Sequence, residues 1–170
     1  LEQCRKNIAA HFNVSALEIV FTSGGTEADN LALRSAVRDL GVTDIITSKV
    51  EHHAVLHTVE QLQKEYQVTI HYVDLDDCGL VNYTHLEQLL QSANQPLVSL
   101  MHINNEVGNI LDIENVAKLC KAHNAIFHSD MVQSVGHYKI DLKEVPIDFM
   151  AASAHKFHGP KGVGFCFIRK

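Results

Sequence analysis

Short β-branched runs alternating with stretches of helical periodicity along all 170 residues constrain this chain more than any other feature. A short apolar run bounded by turn formers fits a buried strand, and a neighbouring 3.6-residue period supplies a helix to cover the sheet it joins. Repeated alternation selects crossover units and a mainly parallel sheet. Seven runs qualify as strands: EIVFTS (18–23), DIITS (44–48), VTIHYV (68–73), LVSLMH (97–102), AIFHSD (125–130), DFMAAS (148–153) and VGFCFI (163–168). Helices are expected over 2–12, 26–40, 53–66, 83–93 and 112–123, the last opened by Asp112 as N-cap with Ile113, Val116 and Leu119 on one stripe. Each gap but the last two is long enough for a crossover. HKFHGPKG, between strands six and seven, is too short for a right-handed parallel return, so the last strand should run antiparallel to its neighbour. The expected fold is α/β with three layers and a mainly parallel seven-stranded sheet, its last strand antiparallel. No internal repeat or linker divides residues 1–170, which read as one domain.

Composition excludes several functions. With 46% hydrophobic residues the chain can fill a core, while 20% charged residues, a net charge of −6 and interspersed signs offer no basic face to nucleic acid or anionic lipid. Cys4, Cys78, Cys120 and Cys166 are far apart with no C-x-x-C pair, and they read as reduced thiols of a cytoplasmic protein. No stretch approaches the roughly 18 apolar residues of a membrane span, and LEQCRKNIAA lacks signal-peptide character, so no membrane association is expected. The chain starts at Leu1 inside a helical pattern and stops at Lys170 directly after a strand-like run, which reads as a fragment of a longer protein.

Ligands of open α/β sheets bind beyond the carboxyl ends of the strands, so the residues after each run carry the functional argument. The first strand ends in Thr22-Ser23-Gly24-Gly25-Thr26-Glu27 and opens a helix, which sets hydroxyls, flexible glycines and free N–H groups at a positive helix end. This is a phosphate cradle without the lysine of a Walker A loop, although a Gly-Gly turn alone is common loop chemistry. After the second strand come Glu51-His52-His53, where a lone histidine is more often structural than reactive. His53 and His57 share a helix face, but no third ligand completes a metal site and none is expected. Asn104-Asn105-Glu106-Val107-Gly108 follows the fourth strand and taken alone is a turn. Asp130 ends the fifth, with Gln133 three residues on; the aspartate either caps the next turn or, with the glutamine, holds a flat ring. The sixth strand leads into Ser153-Ala154-His155-Lys156, where a lysine in a tight loop is a candidate covalent nucleophile once its ordinary pKa near 10.4 is lowered or bypassed.

Taken together, FTSGGTEADNLAL, SKVEHHAVL, MHINNEVGNI, HSDMVQSVG and SAHKFHGPKGVG resemble the NifS-like cysteine desulfurases, fold-type I pyridoxal phosphate enzymes of the class V aminotransferase superfamily. The match runs in order over essentially the whole chain. Each motif alone is weak, and five in register are strong. The resemblance implies the large, cofactor-binding domain of such an enzyme, with the small domain and the extreme N-terminus lying beyond residues 1–170. It implies that Lys156 carries pyridoxal 5'-phosphate covalently, Asp130 pairs with the pyridine nitrogen, Gln133 bonds the ring's 3-oxygen, and His52 stacks on the ring and moves protons. Gly25, Thr26, Ser153 and His155 would hold the phosphate, and Asn105 would lie near the ring and the substrate carboxylate. The implied reaction converts L-cysteine to L-alanine and leaves a persulfide on an enzyme cysteine, for iron–sulfur cluster or thio-cofactor synthesis. The implied partners are a second copy of the chain and sulfur-acceptor or scaffold proteins. Selenocysteine lyase, class V aminotransferase and a non-catalytic cofactor-binding module stay open as alternatives. The family's persulfide cysteine and carboxylate-binding arginine have no match in these residues, so the chain alone is expected to be inactive.

Overall fold

The computed structural model describes residues 1–170. In chain order it contains α1 (Glu2–His11), β1 (Ile19–Thr22), α2 (Gly25–Leu40), β2 (Asp44–Thr47), α3 (His53–Tyr66), β3 (Thr69–Tyr72), α4 (Tyr83–Ser92), β4 (Pro96–Ser99), α5 (Ile113–Ala122), β5 (Ile126–Asp130), β6 (Phe149–Ser153) and β7 (Gly164–Ile168). The strands form one sheet in the order β1-β7-β6-β5-β4-β2-β3. From β3 through β6 every neighbouring pair is parallel. Only β7 runs the other way, antiparallel to both β6 and β1. A single 3-10 turn, Ala154–Phe157, and the following glycine-proline bend separate β6 from β7, so the chain folds straight back beside the strand it has just left.

Alternation along each strand builds two cores. Ile45, Leu97, Ala151 and Cys166 face Ala28, Ala32, Leu33 and Ala36 of α2 and Val55, Val59 and Leu62 of α3. Their sequence neighbours Ile46, Val98, Met150 and Phe167 face the opposite side, with Leu86 and Leu90 of α4 and Val116 and Cys120 of α5. The helix ends follow local chemistry. Asp112 caps α5 by accepting from the Asn115 N–H at 3.0 Å, as its position in the sequence predicted. Gly41 ends α2 at φ 73°, a left-handed cap that glycine adopts without a side-chain penalty.

Two connections depart from the expectation. The chain between β5 and β6 contains no helix, yet the two strands are parallel. Its turns cross over by burying Met131, Val135, Ile140, Leu142 and Val145, so irregular backbone does the work of a helix on that face. The fourth strand was expected to reach residue 102 and ends at Ser99. Leu100 and His102 still donate to His128 and Asp130 of β5, but the Met101 N–H, which points the other way, is taken by the Glu51 carboxyl at 2.9 Å. A side chain completes the ladder where a strand has run out.

The close seat of α2 depends on Gly164. A Cβ there would lie 2.5 Å from the Ala152 carbonyl oxygen and 2.7 Å from Gly24 Cα, and backbone on both sides cannot yield cheaply. Gly164→Ala is expected to lower stability by about 3 kcal/mol in equilibrium urea unfolding. An unchanged midpoint would mean that α2 and β7 do not approach this closely.

Candidate active site

The carboxyl ends of the parallel strands and the start of α2 meet around one cavity of about 310 Å³. Gly25 and Thr26 enter it from α2, His52 from the start of α3, and Asn105 from the loop after β4. Asp130 and Gln133 come from the end of β5, and Ser153, His155 and Lys156 from the end of β6. All nine residues singled out in the sequence therefore line a single space. Asp29, Met101 and Val132 line it as well, and the sequence reading did not single them out.

Each wall follows from its local backbone. The first turn of α2 leaves its N–H groups without intrahelical carbonyls, and Gly25 stays bare because a Cβ would meet Val132 Cγ2 at 2.5 Å. Glu27 turns away and accepts from the Ser23 N–H at 2.6 Å, which closes the loop in front of the helix. On the far side, Ser153 Oγ and His155 Nδ1 are 2.9 Å apart, so the imidazole is fixed with Nε2 free. His137 donates or accepts nothing in the cavity but bonds the Lys156 carbonyl at 2.8 Å, holding the loop that carries the lysine.

In the Asn104-Asn105 pair the two amides divide the labour. Asn104 is buried, and its Oδ1 accepts from the Glu106 and Val107 N–H groups while its Nδ2 donates to the Val50 carbonyl. It builds the turn that leaves Asn105 exposed at the cavity. His52 is both a cap and a cavity residue: its Nδ1 accepts from the Ala54 N–H at 3.1 Å. A neutral His52 ring so bonded carries its proton on Nε2. His53 and His57 stack on one another, ring centroids 5.1 Å apart.

Asp130 resolves its two sequence readings by satisfying both. Its Oδ1 accepts from the Val132 N–H at 2.9 Å, a cap of the following turn, and the same carboxyl lines the cavity. Burial, then the Asp29 carboxyl beside it, pushes Asp130 up to about 7. Glu51 is pushed up to about 8, chiefly by burial, although Ser48 Oγ and the Met101 N–H donate to its two oxygens. Asp29 is raised well above the ordinary carboxylate range by burial, and His128, two residues before Asp130 on β5, is pushed down to about 4 by the same cause. These buried groups were readable in principle: Asp29 is an acid on the apolar stripe of a helix, and His128 shares a strand face with Asp130.

A cavity that combines a helix N-terminus and hydroxyls, a buried carboxyl and a loop lysine defines the class, and the comparisons agree. The model of the family Aminotransferase class-V matches residues 1–170, and the chain belongs to that family. It is 43% identical to the cysteine desulfurase IscS of Vibrio cholerae serotype O1 over 173 residues, which cover 100% of this chain and 42% of that protein. It is 44% identical to the cysteine desulfurase IscS of Clostridium botulinum (strain Kyoto / Type A2) over 169 residues, 97% of this chain and 42% of the relative. Among solved structures it superposes on a NifS-like protein with TM-score 0.93 and 39% identity, covering 99% of this chain and 47% of the other. SspA in complex with cysteine gives TM-score 0.90 and 32% identity, with coverages of 98% and 48%. The resemblance seen in the motifs and the three-layer fold are thus borne out. The chain spans less than half the length of these relatives.

The buried Asp130 gives a stability signature without any ligand. Between the ordinary value of 3.8 and about 7 the unfolded chain is ionised there while the folded one keeps its proton. Stability from this group is therefore complete below about pH 4 and lost as pH rises through about 7. In the cofactor-free protein Asp130→Asn should be no more stable than wild type at about pH 4 and more stable by a few kcal/mol at about pH 8. Equal urea midpoints at the higher pH would contradict this.

Proposed function

We propose that the whole protein is a pyridoxal phosphate-dependent cysteine desulfurase and that residues 1–170 are its cofactor-binding large domain. The observation that carries this reading is the carboxyl of Asp130, buried at the cavity wall with one oxygen bonded to Val132 and no cation paired with it. A buried carboxyl directed at a cavity needs a positive partner, and a protonated pyridine nitrogen is one. The rest of the donor set suits the rest of that cofactor. N–H groups of the first turn of α2, the Thr26 and Ser153 hydroxyls and the His155 ring suit a phosphate, while Lys156 supplies the amine that an aldehyde requires.

When bound, pyridoxal phosphate supplies an electron sink that makes the substrate's Cα proton removable. Asp130, as an anion, keeps the ring nitrogen protonated. Gln133 would donate to the 3-oxygen and help to orient the ring. Lys156 would hold the cofactor through its amine, and the same Nζ would be placed to carry a proton. His52 would lie against the ring with Nε2 left to move a proton, because Nδ1 is occupied by the Ala54 N–H. Asn105 orients the substrate carboxylate.

The relatives named cysteine desulfurases and the cysteine complex of SspA support L-cysteine as substrate, with L-alanine as product and the sulfur passed to an enzyme thiol. None of the chain's four cysteines lines the cavity. Cys120 and Cys166 are buried, and burial raises both thiols, the second to about 12, so neither is a thiolate near neutral pH. The persulfide-forming cysteine is accordingly assigned to a part of the protein beyond these residues. A homodimer, handing sulfur to acceptor or scaffold proteins of the cytoplasm for iron–sulfur cluster or thio-cofactor synthesis, completes the proposal. No helix here is long and apolar enough to cross a membrane.

In the whole protein, added pyridoxal phosphate should produce a visible absorption band, and L-cysteine should yield alanine and sulfide together. Lys156→Ala should abolish the band and lower turnover by about a thousandfold or more. A keto acid in place of alanine would identify an aminotransferase, and an unchanged band in the variant would remove Lys156 from its role.

A further inference from the structure

Behind Asp130 the sheet carries a row of polar side chains that the proposed reaction does not use. Thr47, Ser99 and His128 occupy the same register level on β2, β4 and β5, all fully buried, and Asp29 of α2 lies over them at 1% exposure. Ser99 Oγ and His128 Nδ1 are 2.8 Å apart. Asp29 Oδ1 and His128 Nε2 are 3.3 Å apart, and neither atom makes a hydrogen bond. Asp29 differs from the other two buried acids of this region. Asp130 accepts from a backbone N–H, and Glu51 accepts from a backbone N–H and a hydroxyl, but no N–H or O–H of the protein donates to Asp29.

The groups facing Asp29 offer it no positive charge. Asp130 of β5, Glu51 before α3 and Cys166 of β7 are acids whose protons its charge would hold on more tightly. Lys156, His155 and His52 share its cavity but form no ion pair with it. His128 is the one basic side chain within 4 Å of its carboxyl, and burial pushes that imidazole towards its neutral form. A carboxylate buried without donors costs several kcal/mol after relaxation, whereas a carboxylic acid is itself a donor.

We propose that Asp29 is held as the un-ionised acid, its O–H donated to Nε2 of His128, and that this leaves Asp130 as the one anion offered to the ring nitrogen. The arrangement satisfies both orphaned atoms with a single proton. It also sets the direction of the chain beyond: with Nε2 accepting, His128 carries its proton on Nδ1 and donates it to Ser99 Oγ. A second charge at Asp29 would make Asp130 harder to ionise, so Asp29 is a positioning residue that acts through Asp130. The role of that anion rests on the cofactor reading above, but the proton on Asp29 does not.

The test uses the whole protein, labelled with nitrogen-15 at histidine, without cofactor and after addition of pyridoxal phosphate. From about pH 6 to about pH 8 the His128 ring should be more than about nine-tenths the Nδ1–H tautomer in both forms. The infrared spectrum of wild type should contain an un-ionised carboxyl C=O band that is lost in Asp29→Asn. An Nε2–H tautomer or an imidazolium at His128 would mean that Asp29 is an anion and would overturn the proposal, whether or not the variant folds. So would a wild-type spectrum from which Asp29→Asn removes no such band. Failure of pyridoxal phosphate to give a visible band is a separate outcome, which rejects the cofactor reading and leaves the tautomer measurement on the cofactor-free protein to judge Asp29.

Discussion

The centre of this molecule is a carboxyl group with little access to water. Asp130 closes β5, the middle strand of the sheet, and sits at 4% exposure between a helix and the strand ends. An ion in such a place is tolerated only if the protein or a ligand supplies a partner, and the protein supplies one backbone N–H. The neighbouring structure can be understood as keeping that group buried, oriented and unpaired until a cation arrives in the cavity. The reversed β7 matters here, because its packing against Gly24 brings the start of α2 to the end of β6, where Ser153 and His155 wait.

The polar row behind Asp130 extends the same logic into the core. Thr47, Ser99 and His128 stand where a parallel sheet ordinarily buries aliphatic side chains; Ser99 and His128 bond one another, while Thr47 Oγ1 and His128 Nε2 have no hydrogen-bond partner. Such a row is costly unless protons are correctly distributed along it. Its presence directly beneath the strand end that carries Asp130 links the interior of the sheet to the chemistry at its edge.

Much of this was legible in the sequence because period and punctuation agree. Helix α3 was read over 53–66, the same residues as in the structure, since His52 stops the preceding turn and the 3.6-residue stripe begins immediately after it. The reversal of β7 followed from the shortness of one connection. The connection between β5 and β6 was harder, because its buried residues are spaced by turns and carry no period. In the site, exposed polar residues after strands announced themselves as a group. Asp29 and His128 did not, because a polar residue inside an apolar element is ambiguous until the structure shows which others surround it. Gln133, Asn105 and the two sequence readings of Asp130 needed the same information to be resolved.

The claim that Asp130 exists to hold a protonated ring nitrogen is open to direct observation. Pyridoxal phosphate labelled with nitrogen-15 in the ring, bound to the whole protein, reports the protonation of that nitrogen in its chemical shift. The account predicts a pyridinium signal in wild type at neutral pH and a neutral pyridine signal in Asp130→Asn. A neutral pyridine in wild type, or a pyridinium that survives loss of the carboxylate, would contradict it.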